Sequence, residues 1–130
     1  MKKLIIGLFL SLISSLALAA PTCVIGVAGA PPVMTLTFTP PTTNSDGTPL
    51  TLPITYTVWQ GTTSGGEKLV ASGVSGSPIV LNTGLVAGTT YYVFIDVVDS
   101  NGTSSGSIEV CKTFPASTAP PSNVTNLVVS

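Results

Sequence analysis

Past residue 21 the chain sets apolar and polar side chains in short alternating runs, and nowhere sustains the three-to-four-residue apolar spacing of a helix. Val33-Met34-Thr35-Leu36-Thr37-Phe38-Thr39 is the plainest run: period two puts Met34, Leu36 and Phe38 inward and the threonines outward. Ile54-Thr55-Tyr56-Thr57-Val58-Trp59 repeats it, with Ile54, Tyr56 and Val58 inward and Trp59 outward. Residues 91–97 place Tyr91, Val93, Ile95 and Val97 on one face and Tyr92, Phe94 and Asp96 on the other. Shorter runs rich in β-branched residues at 22–27, 67–71, 79–81 and 107–113 complete seven predicted strands. Breaks at Pro40-Pro41, Asn44-Ser45-Asp46-Gly47, Ser64-Gly65-Gly66 and Asp99-Ser100-Asn101-Gly102 separate them, the last a tight turn with Gly102 suited to positive φ. Strands of this length and spacing predict an all-β fold, a seven-stranded antiparallel immunoglobulin-like β-sandwich of about 90 residues.

The first twenty residues follow a different rule. Lys2 and Lys3 precede an apolar run over 4–18, and Ala17-Leu18-Ala19 is a small-x-small site, so 1–20 reads as a secretory signal peptide and the mature chain is expected to start near Pro21. The alternative is an uncleaved anchor, but the run falls short of the ~20 residues that span a bilayer. No stable membrane insertion is therefore expected after cleavage. Lipidation at Cys23 is not expected, because Pro21-Thr22 does not supply the small residues such a site needs. The remaining chain divides into one sandwich domain at 21–114 and, at 115–130, a Pro/Ser/Thr linker followed by a short strand.

Charge narrows the partners. Past residue 20, Lys68 and Lys112 stand against Asp46, Glu67, Asp96, Asp99 and Glu109, two against five, or −3. Nucleic acid is excluded as an expected partner, since phosphate binding needs a basic stripe. In an exported chain, Cys23 and Cys111 are expected to form a disulfide that ties both ends of the domain together. Two free thiols or an intermolecular bond are the alternatives. With no His in the chain, neither a metal site nor a cofactor is expected.

From about residue 32 to 114 the chain resembles a fibronectin type III domain. Leu36-Thr37-Phe38-Thr39-Pro40-Pro41 is similar to the family's second strand, with Phe38 where a tryptophan is usual. Asp46-Gly47-Thr48-Pro49-Leu50 resembles the loop before the third strand, and Tyr56-Thr57-Val58 that strand's core pair. Leu85-Val86-Ala87-Gly88-Thr89-Thr90-Tyr91 matches the family's tyrosine corner, with Ala87 replacing a common proline. The cysteine pair departs from most members. The resemblance implies a scaffold used in many roles, among them adhesion and substrate targeting, and sets no single function. A small exported bacterial or phage-associated member is the expectation.

The residues offer two candidate contact regions. Third and sixth strands are neighbours in such a fold, so Trp59, Tyr92 and Phe94 are expected to form an aromatic patch on an outer sheet face, suited to a carbohydrate or protein ligand. The bland alternative is that Leu69 or the C-terminal tail covers them. The second region is the tail itself: Pro121-Ser122-Asn123-Val124-Thr125-Asn126-Leu127-Val128-Val129-Ser130 resembles the opening strand of another such domain. It is either a fragment of a second domain or a strand that adds to a sheet edge, giving strand-mediated self-association. No catalytic residues are expected: without His, with both cysteines in a disulfide and with scattered acids, nothing pairs a nucleophile with a base. Asp96 and Asp99 read as a solvated strand carboxylate and a turn cap, and the sequons at Asn101 and Asn123 as accidents beside a bacterial-looking signal. Two functions follow as expectations, both for an exported chain that is periplasmic, extracellular or at the cell surface. One is a non-catalytic binding or adhesion module acting through the patch. The other is a structural or assembly subunit of a cell-surface or phage-associated structure, docking through its terminal strand.

Overall fold

The computed structural model describes residues 21–104, 106–120, 125 and 128–129. The signal segment expected at 1–20 lies outside the described residues, as does most of the terminal strand expected at 123–130. Eight strands follow one another: β1 (Val24–Ile25), β2 (Met34–Leu36), β3 (Thr55–Gly61), β4 (Lys68–Val74), β5 (Ile79–Leu81), β6 (Thr89–Asp99), β7 (Gly102–Thr103) and β8 (Val110–Phe114). All seven expected strands occur in order. The eighth, β7, exists because the Asp99 turn lets Gly102 and Thr103 pair back onto β6.

The larger sheet runs β1-β8-β6-β3-β4, with β7 beside β6; β2 and β5 form the second. All pairings are antiparallel except β1 with β8. The inward residues read from period two meet between the sheets, where Met34, Tyr56, Val58, Ile79, Tyr91, Val93 and Phe114 form the buried core, flanked by Leu36, Phe38, Ile54, Ile95 and Val97. Each of the fully enclosed side chains Tyr56, Val58 and Val93 contributes about 1.5–3 kcal/mol by leaving water. Phe38 packs its ring 4.7 Å from that of Tyr56, at the position where the resembled family carries a larger indole.

Near the start of β6, Tyr91 closes the corner. Its Oη donates to the Gly84 carbonyl at 3.2 Å and accepts the Val86 N–H at 3.0 Å, so one phenol pins the incoming loop over the core. Gly88 turns into the strand at φ +83°, where a side chain is strained.

The expected last strand starts later than its alternation implies, at Val110 instead of Ser107. Serine chemistry is the reason. Ser104 and Ser107 donate their N–H groups to the carbonyls of Val97 and Ile95, and their hydroxyls accept the N–H groups of the same two residues. At these two positions side-chain oxygens thus take the place of backbone acceptors in the ladder with β6.

Candidate functional site

The outer face of the larger sheet is built by the residues that the core leaves over. Trp59 on β3 lies opposite Phe94 on β6 and, on its other side, opposite Leu69 on β4. Cross-strand partners share a face, so Leu69, Trp59 and Phe94 form a row across three strands. The indole and phenyl rings stack, 5.9 Å between centroids and 10° from parallel. Tyr92 occupies the next row, opposite Gly61 on one side and Cys111 on the other. The structure therefore brings Trp59 and Phe94 into contact and sets Tyr92 beside them, next to the disulfide. Leu69 extends the row instead of capping it: its side chain is 54% exposed.

Asp96 corrects an expectation. Its outward strand position implies a solvated carboxylate, yet it is buried, with Oδ2 accepting the Trp59 Nε1–H at 2.7 Å. Trp59 and Asp96 are diagonal neighbours on one face, and the indole is long enough to span the diagonal. The bond is charge-assisted and fixes the indole in the plane that stacks on Phe94. Asp99 matches its reading as a turn cap: Oδ1 accepts the N–H groups of Asn101 and Gly102, and these bonds, the Asn101 one foremost, hold its carboxyl below the usual range.

A third contributor carries no side chain. Gly106, in the serine-bonded segment, comes so near the patch that a Cβ built on it meets Phe94 Cδ2 at 2.8 Å and Asp96 Oδ1 at 3.2 Å. A glycine is needed there so that backbone can back the ring. Sequence reasoning missed both Asp96 and Gly106. The only local signal is the Phe94-x-Asp96 spacing, which sets a carboxylate on the aromatic face.

Next to the patch the β3–β4 turn is tied to the approach of β8. Glu109 accepts the Ser64 hydroxyl at 2.8 Å and the Gly65 N–H at 3.1 Å. Burial, and then a shared hydrogen bond with Glu109, push the Glu67 carboxyl above the ordinary 4.5, while that same bond holds Glu109 below it. The Glu67 contribution to stability is present at low pH and is lost as pH rises through its raised pKa. That of Glu109 is present at higher pH and is lost as pH falls through its lowered one. The pair therefore supports the fold best near the ordinary glutamate value of 4.5. Glu67→Gln supplies a permanent donor to Glu109, so its melting temperature is expected to exceed wild type by a few degrees at neutral pH, with the gap closing near pH 4.5. Melting curves across that range check it, and a gap independent of pH contradicts the pairing.

At one end of the sandwich an open cavity of about 850 Å³ has an apolar floor of Phe38, Tyr56, Ile95 and Val97 under a polar rim that includes Asn44, Asp46 and Asn101. The Tyr56 hydroxyl beneath it is buried without a hydrogen-bond partner, and burial raises its pKa. A ligand entering there meets an apolar floor and a rim of short polar side chains.

Cys23 and Cys111 form the expected disulfide, with Cα atoms 4.6 Å apart. Such a bond belongs to an oxidising, non-cytoplasmic compartment. Among the described residues no helix is long and apolar enough to cross a membrane.

No family model and no curated protein matches the chain. Among solved structures, an Fn3-like protein from Clostridium thermocellum is similar with a TM-score of 0.50 at 24% sequence identity, covering 75% of this chain and 96% of that one. The fold is fibronectin type III-like. The tyrosine corner and the Tyr56–Val58 core pair are both in place, and the Phe38 and Ala87 departures are absorbed without loss of the sandwich. A fold of this kind hosts many roles and by itself sets none of them.

Proposed function

We propose that this protein is an exported, non-catalytic recognition module that binds a carbohydrate or protein ligand through the Leu69–Trp59–Phe94 row, with Tyr92 alongside. The observation that supports it is the stacked Trp59–Phe94 pair on an outer sheet face, its indole held by Asp96. Rings fixed in advance lose little entropy on contact, which is what a binding face needs and a core does not. The secretory-signal reading of 1–20 and the disulfide support export. The lack of His, with both cysteines bonded to each other, supports a role without turnover.

Binding of wild type, Phe94→Ala and Tyr92→Ala to glycan arrays, to immobilised cell-wall polymer and to a panel of extracellular-matrix and surface proteins tests the reading. Phe94→Ala is expected to weaken the binding found with wild type at least tenfold, and Tyr92→Ala by less. Gly106→Ala, whose methyl group meets the Phe94 ring at 2.8 Å, is expected to weaken it as well. Equal binding by all the proteins, with unchanged melting curves, sinks the patch as the contact site.

A further inference from the structure

One edge of the smaller sheet is open. β1, which in sequence precedes β2, pairs with β8 in the other sheet, so among the described residues β2 has β5 as its single neighbour. The direction of the free edge follows from two bonds. Phe38 donates its N–H to Ser77 Oγ on the β5 side, whereas the Val33 carbonyl accepts Lys112 Nζ at 2.8 Å on the β8 side. Backbone groups alternate along a strand, so Thr35 and Thr37 turn their N–H and C=O groups the same way as Val33, away from β5. Neither has a backbone partner across that edge among the described residues.

Beside this edge runs a groove of about 320 Å³ walled by Leu36, Phe38, Val93 and Ile95 on the core side and by Ile108 and Val110 across from β2. Ile108 is 84% exposed. Because the serine-bonded segment at Ser104 and Ser107 delays β8, nothing in the described chain covers this flank. Pro40 and Pro41 at one end and the Lys112 contact at the other confine the opening to the length of a short strand. Unpaired backbone beside an apolar slot is what strand addition requires, the backbone supplying affinity and the slot taking alternate side chains.

The occupant is encoded in the same chain. Asn123-Val124-Thr125-Asn126-Leu127-Val128-Val129 is β-prone, uncharged and free of proline, and Leu127 and Val129 share one face of an extended strand. Val128 and Val129 are 82% and 93% exposed, so this apolar end is not packed on its own domain. The eight residues from Pro115 to Ser122, three of them proline, form a spacer that reaches about 25 Å when extended, enough to carry the tail to a neighbour.

We infer that residues 123–129 of one copy add as a strand to the open β2 edge of a second copy, placing Leu127 and Val129 in the groove against Ile108 and Val110. Tail and acceptor are different surfaces, so the contact is head-to-tail and builds chains or rings instead of a two-fold dimer. It does not involve Trp59 or Tyr92; Phe94 also lines the groove, and the tail and acceptor variants below leave that ring unchanged, so the contact is tested apart from the binding face.

The test is complementation in the chain purified from an oxidising compartment. One variant loses the tail (Leu127→Asp with Val129→Asp); another loses the acceptor through Thr35→Pro, which removes an edge N–H, or through Ile108→Asp, which charges the groove wall and leaves the backbone alone. By light scattering and sedimentation, wild type is expected to form concentration-dependent oligomers into the hundred-micromolar range. Each variant alone is expected to be at least tenfold less associated, and a mixture of tail-loss with acceptor-loss proteins is expected to stop at dimers. A wild type that remains monomeric overturns the inference, including the case in which the tail closes on its own domain. Assembly that survives both classes of variant overturns it as well.

Discussion

Removing the Cys23–Cys111 bond, by reduction or by alanine at both positions, is expected to lower the unfolding free energy by about 3–4 kcal/mol and the melting temperature by about 15–25 °C. The bond closes a separation of 88 residues, for which the chain-entropy model sets a ceiling of about 4–5 kcal/mol. Locally little else holds β1. It has two residues, Val24 and Ile25, exposed at 64% and 66%, and next to it Gly26 donates its N–H to Thr113 at 2.8 Å. Without the link this strand loses little by leaving β8, so amides at 24–26 are expected to exchange with solvent far faster than those of β3 and β6. Denaturant titration gives the global number and hydrogen exchange the local one. A change below about 1 kcal/mol shows that the denatured chain, or the rest of β1, already supplies the restraint.

The second large effect concerns the indole. Trp59→Ala is expected to destabilise the domain by about 3–4 kcal/mol, more than a half-buried ring on an outer face ordinarily contributes. The excess comes from Asp96, which is buried and, through Oδ2, relies on the Trp59 Nε1–H. Losing that donor leaves a carboxylate in poor solvent with a charge it cannot share. In an Asp96→Asn background the same truncation is expected to cost about 1–2 kcal/mol less. The double-mutant cycle separates packing from pairing, and additivity between the two sites shows that the bond contributes nothing. The consequence for testing the proposed binding face is practical: Phe94 and Tyr92, not Trp59, are the positions at which an effect on binding is separable from loss of fold.

Much of the fold is legible because period two is a local property. A threonine at 35 and a methionine at 34 declare their faces without any distant residue, and the same holds for Tyr56 and Val58 or Tyr91 and Val93. The aromatic patch needs one further step, that the third and sixth strands lie side by side, and the resemblance carried by the tyrosine corner supplies it. Asp96 fails the same reading because a carboxylate on an outward position is ordinarily solvated; its burial depends on an indole 37 residues away and on Gly106 behind it. The late start of β8 fails for a related reason, since two serine hydroxyls compete with the backbone for the same partners on β6.

By itself the sequence determined which residues face inward, where the chain turns, and that two cysteines were available to join the ends. Alternation, turn chemistry and composition are all expressed within a few residues, so no folding partner is needed to read them. Which sheet β1 joins, and hence which edge of β2 stays open, was decided only in three dimensions, because either pairing satisfies the same local pattern. The same is true of the stacking plane of Trp59 and the closeness of Gly106 to Phe94. Those are set by packing between segments far apart in the chain, where a few tenths of an ångström separate a supported ring from a displaced one.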